Sequence, residues 1–161
     1  MNKLPVLIIS ICVLSGCSTV PYKASDNAID QYFSSQVISK RISKYHHDQK
    51  GEMGVDREPL KTLNTECTDR SFEGVSVKIG THVITDKAVL MQFRSDYVTY
   101  LLSSLLAYQN KSFPHPAPSI FEDREIHNKV SVIGKANEKR LSCLEASGWH
   151  TLRSKNSNNK K

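Results

Sequence analysis

The most regular stretch of the chain is an alternation. Val75, Val77 and Ile79 are separated by polar residues, and the same period returns at Val83 and Thr85, then at Val89, Met91 and Phe93. A period of two marks strands with one buried face. Gly80 and Asp86-Lys87 fall between the runs as turn candidates, so the pattern predicts two or three antiparallel strands. Residues 87–94 fit either a third strand or the start of the next helix. From Ser95 or Asp96, either of which suits an N-cap, the period lengthens. Tyr97, Val98, Leu101, Leu102, Leu105 and Tyr108 cover a wide arc of a helix ending near Tyr108, which reads as a core helix.

The flanking segments are less uniform. A helix capped by Ser25 or Asp26 is expected to run to about His47, with Ile29, Tyr32, Phe33 and Val37 on one face. Ile38, Ile42 and Tyr45 fall nearly opposite, so that helix bends or changes partner. Residues 48–66, with two glycines, a proline and many charges, read as a loop. Pro114, Pro116 and Pro118 rule out regular helix within 110–128. Val130, Val132 and Ile133 suggest another strand. A last helix from about Lys135 to Ser147 groups Ala136, Cys143 and Leu144, with Leu141 at its edge. Gly148 is placed to end it and Trp149 to fold back as the apolar contact after the cap. With 161 residues and 39% apolar content, the chain suits one core. The expected fold is α+β: a small single domain with a short antiparallel sheet of three to four strands packed against two or three helices.

The amino-terminal pattern is of a different kind. Met1-Asn2-Lys3 precedes an apolar run from Leu4 to Leu14, and the run closes as Leu14-Ser15-Gly16-Cys17. A basic start, a short apolar run and small residues at a cut are the parts of a secretory signal. The run falls well short of the ~20 residues that a spanning helix needs. Its last four residues resemble the lipobox of bacterial lipoproteins: an aliphatic residue, two small residues, then cysteine. The resemblance covers the first 17 residues. It implies a diacylglyceryl group on the Cys17 thiol, cleavage after Gly16 and acylation of the new amino group. Each buried methylene contributes about 0.8 kcal/mol, so two or three acyl chains anchor firmly where one does not. Ser18 in place of Asp resembles enterobacterial lipoproteins of the outer membrane. The expected organisation is a signal peptide over 1–16, a lipidated tether over 17–25, a globular domain over 26–153 and a disordered basic tail over 154–161.

Export changes the meaning of the remaining cysteines. Cys67 and Cys143 form an even pair in an oxidising compartment, which predicts a disulfide. The long loop it would close is worth ~4–5 kcal/mol in the chain-entropy model. Two free buried thiols are the alternative; a zinc site lacks further ligands at the right spacing. Cys143, Gly148 and Trp149 also resemble the ending of many small envelope lipoproteins, a likeness that supports the disulfide and names no activity.

Candidate chemistry is thin. The 22 Lys and Arg against 16 Asp and Glu give a net charge of +6, which suits anionic neighbours; the export signal argues against nucleic acid. His46-His47-Asp48 offers metal-ligand types, but neighbouring histidines on a helix diverge by about 100°. His82, His115, His127 and His150 are scattered, with no nucleophile motif beside them. Glu122, Asp123 and Glu125 surround Arg124 as a solvated charged loop would, without a spacing that fixes two catalytic carboxylates. No catalytic residue, metal or cofactor is therefore expected. The apolar, proline-restricted loop over 110–126, with Phe113, Pro116, Ile120 and Phe121, is the expected partner-binding segment. Its alternative is a loop lying across its own core. The leading reading is a non-enzymatic, lipid-anchored periplasmic domain at the outer membrane that binds another envelope component, such as an accessory subunit of an envelope or secretion assembly. An inhibitor or immunity lipoprotein and, in another class, a cell-wall hydrolase are the alternatives.

Overall fold

A computed structural model describes residues 21–36, 38, 42–110 and 119–152. Along the chain these form α1 (Asp26–Ser35), β1 (Lys44–His47), β2 (Gly51–Gly54), α2 (Leu60–Ser71), β3 (Val77–Ile79), β4 (His82–Ile84), α3 (Lys87–Gln109), a 3-10 turn (Ile120–Glu122), α4 (Arg124–Ala146) and β5 (Trp149–Thr151). The expected class and the single small domain are those observed. The strands divide between two antiparallel sheets, β2-β1-β5 and β3-β4, and four α-helices pack with them among the described residues.

Helix α4 runs through both halves of the molecule. Ile126, Val130, Ile133, Asn137, Arg140 and Leu144 recur every three or four residues and are all buried, so they form one stripe down the helix. This overturns the strand expected at Val130–Ile133. The apparent alternation there is incidental, because Val132 is exposed while Val130 and Ile133 lie on the stripe.

The upper part of the stripe meets a first core with Ile29 of α1, Val77, Ile79 and Ile84 of the β3-β4 pair, Leu90, Phe93 and Tyr97 of α3, and Ile120 and Phe121. Strands β3 and β4 are joined by Gly80-Thr81, with Gly80 at φ +56°, as a tight two-residue connection requires. The lower part meets a second core of Tyr45, Leu60, Cys67 and Trp149. Here Cys67 of α2 and Cys143 of α4 form the expected disulfide, with Cα atoms 5.7 Å apart. Beside it the buried Arg140 guanidinium donates to Asn137, Asn64 and Tyr45 at 3.1, 2.6 and 3.2 Å.

Three further expectations are corrected. The first helix begins as predicted, with Ser25 Oγ accepting from the Ala28 amide, but stops at Ser35. Tyr45, placed on a helix face by the sequence, lies in β1, where it pairs with Met53 and Thr151 and faces the second core. Val37 lies outside the described residues. Residues 48–66 are not a loop: they supply β2 and most of α2, a polar helix that buries Leu60 and Cys67. The cap expected at Ser95 or Asp96 is instead Asp86, which accepts from the Val89 amide at 2.9 Å, so residues 87–94, open between strand and helix in the sequence, belong to α3.

At the C-terminal end, Gly148 ends α4 at φ +83° and Trp149 turns back into the second core at 2% exposure, as the sequence predicts. A Cβ on Gly148 would also stand 2.9 Å from the His47 ring.

Candidate functional site

Helix α3 changes character halfway along. In its first half Leu90, Phe93 and Tyr97 lie at i, i+3 and i+7 and enter the first core. Tyr32 of α1 fixes this half from the side: its hydroxyl donates to Asp96 Oδ2 at 2.7 Å, while Gln36 donates to Tyr32 and Gln92 to Asp96. Burial pushes the Tyr32 hydroxyl well above its ordinary ionisation range, and the Asp96 hydrogen bond and charge push the same way.

Beyond Tyr97 the cover ends but the apolar sequence does not. No Asp, Glu, Lys or Arg occurs from Tyr97 to Gln109. Ala107 is buried, whereas Val98, Leu101, Leu102, Leu105 and Leu106 are 37–51% exposed and Tyr108 is 82% exposed. At 100° per residue the five aliphatic side chains occupy an arc of about 140°. A broad aliphatic arc on a helix is normally turned towards a core; this one is exposed, with Thr99 and Ser103 beside it. The sequence correctly named these residues as apolar and helical, and the assignment to the core fails for all but Tyr97. No helix among the described residues is long and apolar enough to cross a membrane.

The segment before α1 is fastened on the opposite, covered side of α3, where Tyr100 packs against the first core. The Ala24 amide donates to Asp123 Oδ2 at 2.9 Å, and Asp123 Oδ1 also caps α4 by accepting from the Glu125 amide at 2.8 Å. The neighbouring Glu122 accepts from the Tyr100 hydroxyl of α3 at 2.9 Å. Burial raises the Tyr100 hydroxyl above its ordinary range, with Glu122 adding to the effect and Tyr22 close enough to contribute. The acidic cluster read from the sequence is thus a fastening between tether, α3 and α4. Its one buried member, Asp123, has both oxygens occupied.

Ile120 and Phe121, expected as partner contacts, are buried in the first core, where Phe121 packs against Tyr32, Phe93 and Tyr97 rings. They are internal anchors, the alternative reading of that loop. Phe113, Pro116, His115 and the lipidation candidate Cys17 lie outside the described residues.

Two of the histidines are neighbours, His46 of β1 lying directly opposite His150 of β5, and the others described are apart from them. His46 and His47 sit on β1 rather than on a helix end and point to opposite faces of the sheet. His46 Nε2 is 3.4 Å from Asp48, and His47 stacks edge-on with Trp149. His82 contacts Asp30 at 2.7 Å, and His127 shares a hydrogen bond with Tyr97. Among the described residues no three His, Cys, Asp or Glu side chains are arranged to hold a metal ion. A cleft of about 370 Å3 between the tether, α1, β3 and α4 is lined by Lys23, Lys78 and Lys129 but equally by Asp26, Asp123 and Glu125. Its charges balance, and it selects no ligand.

Compared with known proteins, the chain matches no family model, no curated protein and no solved structure.

Proposed function

We propose that the chain is a lipid-anchored, non-enzymatic domain of the bacterial envelope, held at the outer membrane through Cys17 and facing the periplasm, which works by binding another envelope component. The observation that carries the binding role is the uncharged, exposed aliphatic face of α3. Contiguous exposed apolar surface is costly in water and marks an interaction site rather than a solvated flank. The lipobox-like Leu14-Ser15-Gly16-Cys17 supports the anchor and the compartment, and the Cys67–Cys143 bond suits an oxidising setting.

The binding role is tested by placing a photo-crosslinking residue at Leu102 and, separately, at Val83 of β4, and irradiating living cells. Adducts to one defined envelope component are expected from position 102 and not from position 83. Absence of any adduct at 102, or the same products from both positions, contradicts the proposal.

A further inference from the structure

The outer face of the β2-β1-β5 sheet carries a row of donor side chains. Tyr45 faces the second core, so His46, the next residue of β1, faces away from it. The register sets His46 between Glu52 of β2 and His150 of β5, and residues paired in this way share one face. Directly opposite side chains start from Cβ atoms about 4.5–5.5 Å apart, which lets two imidazoles reach one point. The motif His46-His47-Asp48 thus loses His47, which stacks on Trp149 at the other face, and gains His150 from the last strand.

We infer that His46, His150 and Asp48 form a site for one divalent transition-metal ion of the zinc type. Two imidazoles and a carboxylate are a donor set that suits Zn2+ and leaves its fourth position open. Asp48 follows β1 in the turn, and its Oδ1 stands 3.4 Å from His46 Nε2. That is long for a hydrogen bond, which prefers about 2.9–3.0 Å. It matches two donors on one tetrahedral ion, where bonds of about 2.0–2.1 Å set the donors roughly 3.4 Å apart. The third donor is out of place as the chain stands, since no three such side chains among the described residues converge. The His150 ring is the one that moves to complete the set. It is only partly buried, and among the described residues it has no hydrogen bond, ion pair or ring contact to give up. Glu52, exposed on the other side of His46, is the nearest further carboxylate of the row.

An ion held in this way ties the turn after β1 to β5, the strand that carries Trp149 into the second core. Because the folded register creates the site, the ion binds the folded chain better than the unfolded one and stabilises it by mass action. The site depends neither on the anchor nor on the α3 face, and it stands or falls apart from the binding role proposed above.

The test titrates the purified full-length protein, stripped of metal and with its disulfide intact, with Zn2+ by calorimetry and with Co2+ by absorbance. One ion per chain is expected. His46→Ala, His150→Ala and Asp48→Asn are each expected to weaken it by at least the tenfold that even an outer-shell loss costs. His82→Ala, whose ring is held by Asp30 away from this sheet, is expected to bind as the parent does. Urea midpoints without metal show that each variant still folds, and Zn2+ is expected to raise the midpoint of the parent but not of His150→Ala. No saturable binding at millimolar Zn2+, an unchanged affinity in His150→Ala or Asp48→Asn, or an equal loss in His82→Ala overturns the inference.

Discussion

The Ala24 amide and the Asp123 carboxylate, 99 residues apart in sequence, are joined by a buried 2.9 Å hydrogen bond. The same carboxylate caps α4. One side chain thus starts the longest buried stripe of the fold and fastens the segment that precedes α1.

Asp123→Ala removes both interactions. Loss of an N-cap costs ~0.5–2 kcal/mol, and the orphaned Ala24 amide adds about 1 kcal/mol. A total of about 1–3 kcal/mol is expected by urea unfolding, with faster hydrogen exchange at the Ala24 amide. Asp123→Asn, which can still cap, is expected to recover most of the stability. A change in Asp123→Ala below about 0.5 kcal/mol contradicts this assignment.

Cys67–Cys143 ties α2 to α4 in the second core. Reduction, or the pair Cys67→Ala/Cys143→Ala, is expected to cost about 2–5 kcal/mol. Loss should centre on the β1-β2-β5 sheet, and hydrogen exchange mapped along the chain checks both size and place. Equal loosening of the β3-β4 pair would argue against two separable cores.

The Tyr32–Asp96 pair makes stability fall in alkali. Folding raises the Tyr32 hydroxyl above its unfolded value of 10.0, so the folded state holds the proton longer than the unfolded state does. The resulting stability is fully present below pH 10 and is lost as pH rises above it, towards the folded value. Tyr32→Phe is expected to flatten that alkaline decline and to cost about 1 kcal/mol near neutrality, where the hydrogen bond is intact. Urea midpoints at neutral and alkaline pH decide it; an unchanged alkaline slope removes Tyr32 as the cause.

Gly148→Ala meets two obstacles, the φ of +83° and the His47 ring 2.9 Å from the new Cβ. The backbone part alone costs about 1–2 kcal/mol. His47→Ala in the same chain is expected to relieve the contact and restore part of the loss. No recovery in that double variant would assign the whole cost to the backbone.

The sequence disclosed those features whose signal is local or follows from compartment. Ser25 as a cap, Gly148 as a stop, Trp149 as its returning contact and the Cys67–Cys143 pair were all legible in this way. What stayed hidden depends on tertiary neighbours. Helix α2 presents mostly polar residues, and Leu60 and Cys67 become a buried face only because α4 and β1 lie opposite. Val130 and Val132 imitate a strand until Ile126 and Ile133 put Val130 on a helical stripe. The exposed face of α3 was visible as residues but not as a surface: Leu101, Leu102 and Leu105 look like core, and periodicity cannot say which side of a largely apolar, uncharged helix remains uncovered. Ile120 and Phe121 are the reverse case, apolar loop residues that their own core already holds.

The central claim is that the far side of α3 is left open by the described residues of the chain, and the urea midpoint of Leu102→Glu/Leu105→Glu bears on it most directly. Both positions are about half exposed and glutamate is a good helix former, so the pair is expected to cost less than about 2 kcal/mol. Leu90→Ala, at a site with no exposure, supplies the scale at about 2–5 kcal/mol. A double variant that unfolds as readily as Leu90→Ala, or more so, would mean the chain covers this face itself.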